Sequence, residues 1–357
     1  MSWLPPDEDE EYDEYDESSA KVRPNPKGNK PRSKNRPEHA DAVTGRVFTV
    51  DRGRYGVWVD ENTPEERQLV ATKARELRTQ EGRISVVPGD YVDLVGDTSG
   101  DEGSLSRIVR VQPRTTLLRR SADDTDAVER IIVANADQML IVVAAANPEP
   151  RPRLVDRYLV AAFDAGIVPI LVVTKTDLAD PAEFLANFAG LDFRVIESRS
   201  DAFEGEDTGT LEEIRDALQG HTTVAVGHSG VGKSTLVNAL VPDANRATGR
   251  VNDVTGRGRH TSSSTVSYRI GTGWIVDTPG VRSFGLGHVD PANILRSFTD
   301  LALLAEDCPR GCTHLPDAPD CNIIERVEAG DLGENGKLRL DSFQRLIATL
   351  GSTSSQA

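Results

Sequence analysis

The stretch Gly227-His-Ser-Gly-Val-Gly-Lys-Ser234 constrains the fold more than any other. It fits the phosphate-loop pattern without mismatch, and such a loop needs a strand before it and a helix after it. Both are legible. Val224, Ala225 and Val226 make a short apolar run into Gly227, and Leu236, Val237 and Leu240 share one helical face beyond Ser234. The glycines let the backbone curl so that successive N–H groups point at an anion, and the helix start adds the positive end of its dipole. Lys233 is then placed to reach β- and γ-phosphates, and the Ser234 hydroxyl to ligate magnesium. The candidate nucleotide-binding residues here are Gly227, His228, Ser229, Gly230, Val231, Gly232, Lys233, Ser234 and Thr235.

The 357 residues are enough for about two or three domains. Apolar runs at 139–146 and 167–173 are dense enough for strands buried on both faces. No run approaches the roughly eighteen apolar residues of a membrane span, and the first residues are acidic where a signal peptide is basic. A cytoplasmic protein with no membrane partner is expected. The net charge of −16 argues against nucleic acid until its distribution is considered. Residues 7–17 are almost all Asp or Glu, whereas Lys21, Arg23, Lys27, Lys30, Arg32, Lys34 and Arg36 follow with no acid between them.

Residues 1–41 lack periodic hydrophobicity and read as a disordered acidic and basic tail. From 42 to 112 come five short strand signals, near 43–49, 55–59, 66–71, 92–94 and 105–111, broken by Gly, Pro and Asp turns. They suit a small OB-like β-barrel. Such barrels bind single-stranded RNA, and Arg46, Arg52, Arg54, Tyr55, Trp58, Arg75 and Arg78 are the candidates for phosphate contact and stacking. From 113 to 290 the pattern is strand, helix, strand, which indicates a parallel α/β sheet.

The strand at 167–173 runs into Thr174-Lys175-Thr176-Asp177. A carboxylate at the carboxyl end of a parallel strand sits where open α/β sheets bind ligands. Guanine offers N1–H and a 2-amino group side by side, and one carboxylate accepts from both; adenine offers neither donor there. Ser198, after the run Arg194-Val-Ile-Glu, is the candidate for the other edge of the base. Further on, strands near 267–270 and 273–276 form a hairpin ending in Asp277-Thr-Pro-Gly280. There Asp277 can hold magnesium through water, and the Gly280 N–H can bond the γ-phosphate. Thr261, in the polar loop 248–264, is placed in sequence to complete the magnesium shell.

All three cysteines lie together with a histidine, as Cys308, Cys312, His314 and Cys321. Three thiolates and one imidazole make a closed tetrahedral zinc set, which is structural because no position stays open for substrate. This anchors a zinc-binding, mostly helical module at 291–350, followed by a disordered tail at 351–357.

The order of the motifs carries a resemblance. TKTD precedes the phosphate loop, which precedes DTPG, so the guanine-reading strand comes before the phosphate strand. A circularly permuted P-loop GTPase domain with an N-terminal OB-like barrel and a C-terminal zinc module resembles the bacterial ribosome small subunit-dependent GTPase A family. Arg119, Asn135-Ala-Asp-Gln138 and Gly258-Arg-His-Thr261 are further matches. The resemblance implies a monomeric GTP hydrolase that docks on the small ribosomal subunit late in its assembly, contacts 16S rRNA, carries one structural zinc, and uses magnesium with GTP. A GTP-gated rRNA-binding module whose hydrolysis only times release is the alternative. Thr174 stands where the family usually has Asn, so the resemblance does not carry one loop-bracing hydrogen bond over to this chain. The inner pair of zinc ligands is also displaced by one position. Val281 follows DTPG where many GTPases carry a water-orienting Gln. An apolar group cannot orient water, so the free protein is expected to be slow, with His260 supplied to the water on the subunit. Lys233, Thr261 and His260 are the catalytic candidates.

Overall fold

The computed structural model describes residues 39–74, 77–79, 82–83, 85–121, 129–202, 209–241, 265–278, 284, 286–333 and 335–353. Strands β1 (Val43–Asp51), β2 (Arg54–Val59) and β3 (Arg67–Lys73) form a meander, the small hairpin β4 (Arg78–Thr79) and β5 (Gly82–Arg83) follows, and β6 (Tyr91–Gly96) leads to β7 (Ser106–Val111). The pairings run β1-β2-β3-β7-β6 and back to β1, parallel at β3–β7 and antiparallel elsewhere, so the five strands close. Closure removes the exposed edges. Val47, Val57, Leu69, Val92 and Ile108 fill the interior. This is the OB-like barrel expected from the spacing of the strand signals.

The antiparallel hairpin β8 (Leu117–Ser121) and β9 (Glu129–Ala134), which periodicity alone did not reveal, leads into the second sheet. That sheet contains β10 (Gln138–Ala144), β11 (Val168–Thr174), β12 (Arg194–Glu197), β13 (Thr222–Gly227), β14 (Val266–Ile270) and β15 (Gly273–Asp277). Its order is β12-β11-β10-β13-β15-β14, with only the β14–β15 pair antiparallel. Strand β10 is buried throughout, and its side chains alternate between two cores as the period of two requires. Met139, Ile141 and Val143 face one core; Leu140, Val142 and Ala144 face the other.

Helix α1 (Pro152–Asp164) covers the first face, starting with Pro at its first turn. The short α2 (Ala182–Ala186) follows β11. Helices α3 (Gly209–Leu218) and α4 (Lys233–Leu240) cover the second face through Ile214, Leu218, Leu236, Val237 and Leu240. The C-terminal helices are α5 (Pro291–Arg296), α6 (Thr299–Ala305), α7 (Asn322–Glu328) and α8 (Gly336–Thr353). They pack into the α1 core through Ile294, Leu301, Ile323, Phe343 and Leu346.

The barrel joins the sheet through β1, whose Thr49 pairs with Val266 of β14. Beside that pair Arg46 corrects an expectation. It is 6% exposed, donates to Thr222 Oγ1 at 2.6 Å, and lies 5.4 Å from the Tyr91 ring and 5.2 Å from the Trp274 ring. Tyr55 is likewise buried in the barrel core. Both are spent inside the protein, whereas Arg52 and Arg54 remain exposed. Among the described residues no helix is long and apolar enough to cross a membrane.

Candidate active site

Strand β13 ends on Gly227 beside the backbone of β10. A Cβ at this position would lie 2.5 Å from the Val142 carbonyl oxygen, so the turn out of the strand excludes any side chain. At the other end of the loop Gly232 caps α4 with φ +92°, a left-handed conformation that suits glycine, and no side chain caps the helix start. The first-turn N–H groups, left without intrahelical partners, face the loop, and no acidic side chain stands in that turn. Ser234 is exposed on the same turn, Thr235 and His228 are half-buried, and the His228 ring contacts the Ser229 carbonyl at 2.9 Å.

The Lys233 ammonium pairs with the Asp277 carboxylate at the end of β15, and both side chains are largely buried. Next to Asp277 the buried Thr278 hydroxyl donates to the Ala225 carbonyl at 2.9 Å, fixing the exit of β15 against β13. Burial raises the Tyr268 phenol above its ordinary range, and the Asp277 charge adds to the shift. Thus Lys233 and Asp277, 44 positions apart, meet where the β13 and β15 strands end.

TKTD approaches the phosphate loop from its other side. The Thr174 hydroxyl, 2% exposed, donates to the Val231 carbonyl at 2.7 Å and lies 3.1 Å from the Val143 carbonyl. A loop-bracing bond is therefore present with Thr in place of Asn. Lys175 adopts φ +59°, and its ammonium donates to the Gly230 carbonyl at 2.8 Å and to the Asn147 carbonyl. The Thr176 N–H donates to the Ser198 carbonyl at 3.1 Å, and the Ser198 N–H to Val173 at 2.8 Å, so the end of β12 lies against TKTD. Asp177 is exposed and accepts from the Ser200 N–H at 2.6 Å. Ser200 Oγ also lies 2.9 and 3.0 Å from its two oxygens. The Ser200 N–H is the main cause that lowers the Asp177 carboxyl below its usual range. A shallow cleft opens beside the loop near His228, Val231 and Tyr158, but Asp177, Ser200 and Asp277 do not line it.

Cys308, Cys312, His314 and Cys321 come together with their ligand atoms within 4.8 Å of one another. His314 Nδ1 lies 3.7 Å from Cys308 Sγ and 3.6 Å from Cys321 Sγ. A tetrahedral zinc, at about 2.3 Å from sulfur and about 2.1 Å from nitrogen, sets neighbouring S and N ligands about 3.6 Å apart. Burial lowers the His314 pKa, which favours the neutral, ligating imidazole. Burial and the neighbouring thiols push Cys321 up to about 11, a shift that a divalent cation reverses. The four residues fit a metal ion.

Outside the described residues lie Gly280, His260 and Thr261, the polar loop 248–264, and the tail before residue 39. Sequence reasoning did not single out Ser200, Thr278 or Tyr268. The segment Ser198-Arg-Ser200 offers two serines, and nothing in its pattern states which one turns toward Asp177.

A family model described as RsgA GTPase matches residues 111–287. A "Small ribosomal subunit biogenesis GTPase RsgA" from Gemmatimonas aurantiaca is 33% identical over 309 residues, covering 85% of this chain and 97% of the relative. The chain belongs to the RsgA family of GTPases. An RsgA of the same description from Pseudomonas syringae pathovar syringae is 36% identical over 297 residues, covering 77% of this chain and 82% of its own. The fold of YjeQ from Thermotoga maritima matches with a TM-score of 0.62 at 24% identity, over 87% of this chain and 98% of that one. YloQ, described as a circularly permuted GTPase, matches with a TM-score of 0.62 at 23% identity, over 89% and 98%. The permutation is visible in this RsgA-family chain as strand order: β13, which carries the phosphate loop, stands at the centre of the sheet yet follows β10, β11 and β12 in sequence.

Proposed function

We infer that this RsgA-family chain is a GTP hydrolase that acts in biogenesis of the small ribosomal subunit, reading guanine with Asp177 and holding the phosphates in Gly227–Ser234. The observation that supports this reading best is the pair of bonds from Thr174 to Val231 and from Lys175 to Gly230. They set TKTD against the phosphate loop across separations of 57 and 55 positions. A single nucleotide then spans both motifs. Its N1–H and 2-amino group meet the Asp177 carboxylate, and its phosphates meet the N–H groups of the loop and of α4.

When the phosphates enter, Lys233 exchanges the Asp277 carboxylate for β- and γ-phosphate oxygens, and Asp277 is freed to hold the water shell of magnesium. Ser234 and Thr261 would hold that ion, and the Gly280 N–H would bond the γ-phosphate. A magnesium ion held there would supply positive charge to offset the charge that develops on the phosphates. With Val281 unable to orient water, His260 takes that part on the subunit. Zinc on Cys308, Cys312, His314 and Cys321 is structural. The barrel, through Arg52 and Arg54, contacts 16S rRNA. The protein works as a monomer in the cytoplasm, away from membranes, and leaves the subunit as GTP becomes GDP.

GTP turnover with and without purified small subunits tests this reading. Stimulation of at least about a hundredfold is expected, with loss in Lys233→Ala and reduced stimulation in His260→Ala. Equal rates with and without subunits would sink the subunit-dependent reading. Wild-type stimulated turnover in His260→Ala would remove that residue from the chemistry.

A further inference from the structure

We propose that Tyr268 is a positioning residue for the phosphate site, whose hydroxyl takes over the Asp277 carboxylate when Lys233 leaves it for the nucleotide. This rests on the reading that Lys233 moves from Asp277 to the phosphates. In the free protein the Lys233 ammonium pairs with Asp277, and the two side chains are 12% and 22% exposed. Once the ammonium turns to phosphate oxygens, Asp277 keeps its charge, loses its ion-pair partner, and faces new negative charge nearby. A largely buried carboxylate in that position needs another donor to hold it.

The hairpin decides which side chain supplies that donor. Strands β14 and β15 pair antiparallel, with Val266 opposite Asp277 and Tyr268 opposite Ile275. Opposite residues in such a ladder point to the same face, so Tyr268 is the diagonal neighbour of Asp277, about 7–8 Å away across the strands and within reach of an aromatic side chain. The packing agrees. Tyr268 lies against the core of Ile275, Leu236 and Val237, the side of the sheet covered by α4, which begins with Lys233. Val266, Ile270 and Ile275 share that face of the hairpin and have no side-chain proton to give. Thr278, next in the chain, is spent on the Ala225 carbonyl.

Tyrosine also has the right chemistry. Its phenol donates one hydrogen bond and carries no charge, so it steadies Asp277 without competing with Lys233 for the phosphates. Burial and the Asp277 charge both raise the phenol's pKa, which keeps the proton on oxygen. The hydroxyl therefore stays a donor throughout.

The test uses the full-length protein, first nucleotide-free and then titrated calorimetrically with β,γ-imido GTP in the presence of magnesium. Tyr268→Phe keeps the ring and loses the hydroxyl. With Lys233 present to serve Asp277, its nucleotide-free melting temperature is expected to match wild type, while the analogue binds about tenfold more weakly. In a Lys233→Ala background the carboxylate depends on Tyr268 before any nucleotide arrives, so Tyr268→Phe should there lower the nucleotide-free melting temperature. A ring that merely packs would change it equally with and without Lys233. Wild-type affinity in Tyr268→Phe, or the same change in melting temperature in both backgrounds, overturns the proposal. Lys233→Ala alone separates the two layers of the argument. If it binds the analogue as wild type does, the movement of Lys233 to the phosphates is removed and Tyr268 with it; weak binding there beside an inert Tyr268→Phe removes Tyr268 alone.

Discussion

The barrel meets the nucleotide-binding sheet along strand edges, whereas the C-terminal helices meet it through a shared apolar core. At the barrel side the Thr49–Val266 ladder pair, the buried Arg46, and Arg269 with Glu66 and Asn62 at 2.5 Å each make the join. Barrel core residues such as Val47, Leu69 and Ile108 form a cluster separate from those of the sheet. At the other side Phe343, Leu346 and Ile323 belong to the same cluster as Ile141 and Tyr158 of the sheet and α1. Arg345 adds a contact 3.2 Å from the buried Asp156, and Arg339 bonds both Asp300 oxygens, at 2.5 and 2.8 Å. A module with its own core can loosen at a junction and stay folded. A module that shares a core unfolds with its neighbour.

Metal removal breaks this comparison most severely. Structural zinc supplies on the order of 10 kcal/mol to small metallo-modules. Chelation, or Cys308→Ser, is expected to unfold the C-terminal helices and to lower the melting temperature of the sheet with them. Trp274 is buried in β15 of the sheet, with its ring 6.4 Å from that of Trp58 at the barrel junction, so tryptophan fluorescence should change together with the loss of helical circular dichroism. Loss of the helical signal with unchanged fluorescence would show that the sheet does not share the fate of the C-terminal helices.

Phe343→Ala comes next. This ring is fully buried, edge-on to Phe298 at 5.4 Å, and its truncation should cost about 3–5 kcal/mol in denaturant unfolding. Arg46→Ala at the barrel should cost less, about 1–3 kcal/mol, through the lost Thr222 bond and ring contacts. If Arg46→Ala proved the more damaging of the two, the contrast between edge and core would be reversed.

The smallest effects are in pH dependence, and they have opposite signs. At the barrel the Arg269 hydrogen bond lowers the Glu66 pKa. Its contribution is present above the unfolded carboxyl pKa and lost as pH falls through the folded one. At the helical side burial raises the Asp156 pKa, with Arg345 opposing. That contribution is present below the unfolded pKa and lost as pH rises through the folded one. The stability gap between wild type and Glu66→Gln should therefore close in acid, by less than about 1 kcal/mol for so accessible a pair. Relative to wild type, Asp156→Asn should gain as pH rises from acid to neutral. Parallel pH profiles for the two variants would refute the assignment of signs.

The chain's own periodicities and turn residues determine much of this molecule. The five barrel strands, the phosphate loop with its flanking strand and helix, and the hairpin ending at Asp277 are local patterns of alternation, glycine and charge. So is the cluster from Cys308 to Cys321, because its ligands lie close together in sequence. The permutation was also legible, since it is only the order in which such patterns occur. What the sequence could not decide is which side chain turns toward which partner across long separations. Arg46 was expected to face RNA and instead lies against Trp274; Thr174 supplies a brace to Val231 that its identity did not promise; Ser200, which no local pattern singles out, bonds Asp177. Rotamers and burial depend on packing between segments far apart in the chain, where a shift of one residue changes every contact. Only the assembled sheet, with barrel and helices closed around it, fixes them.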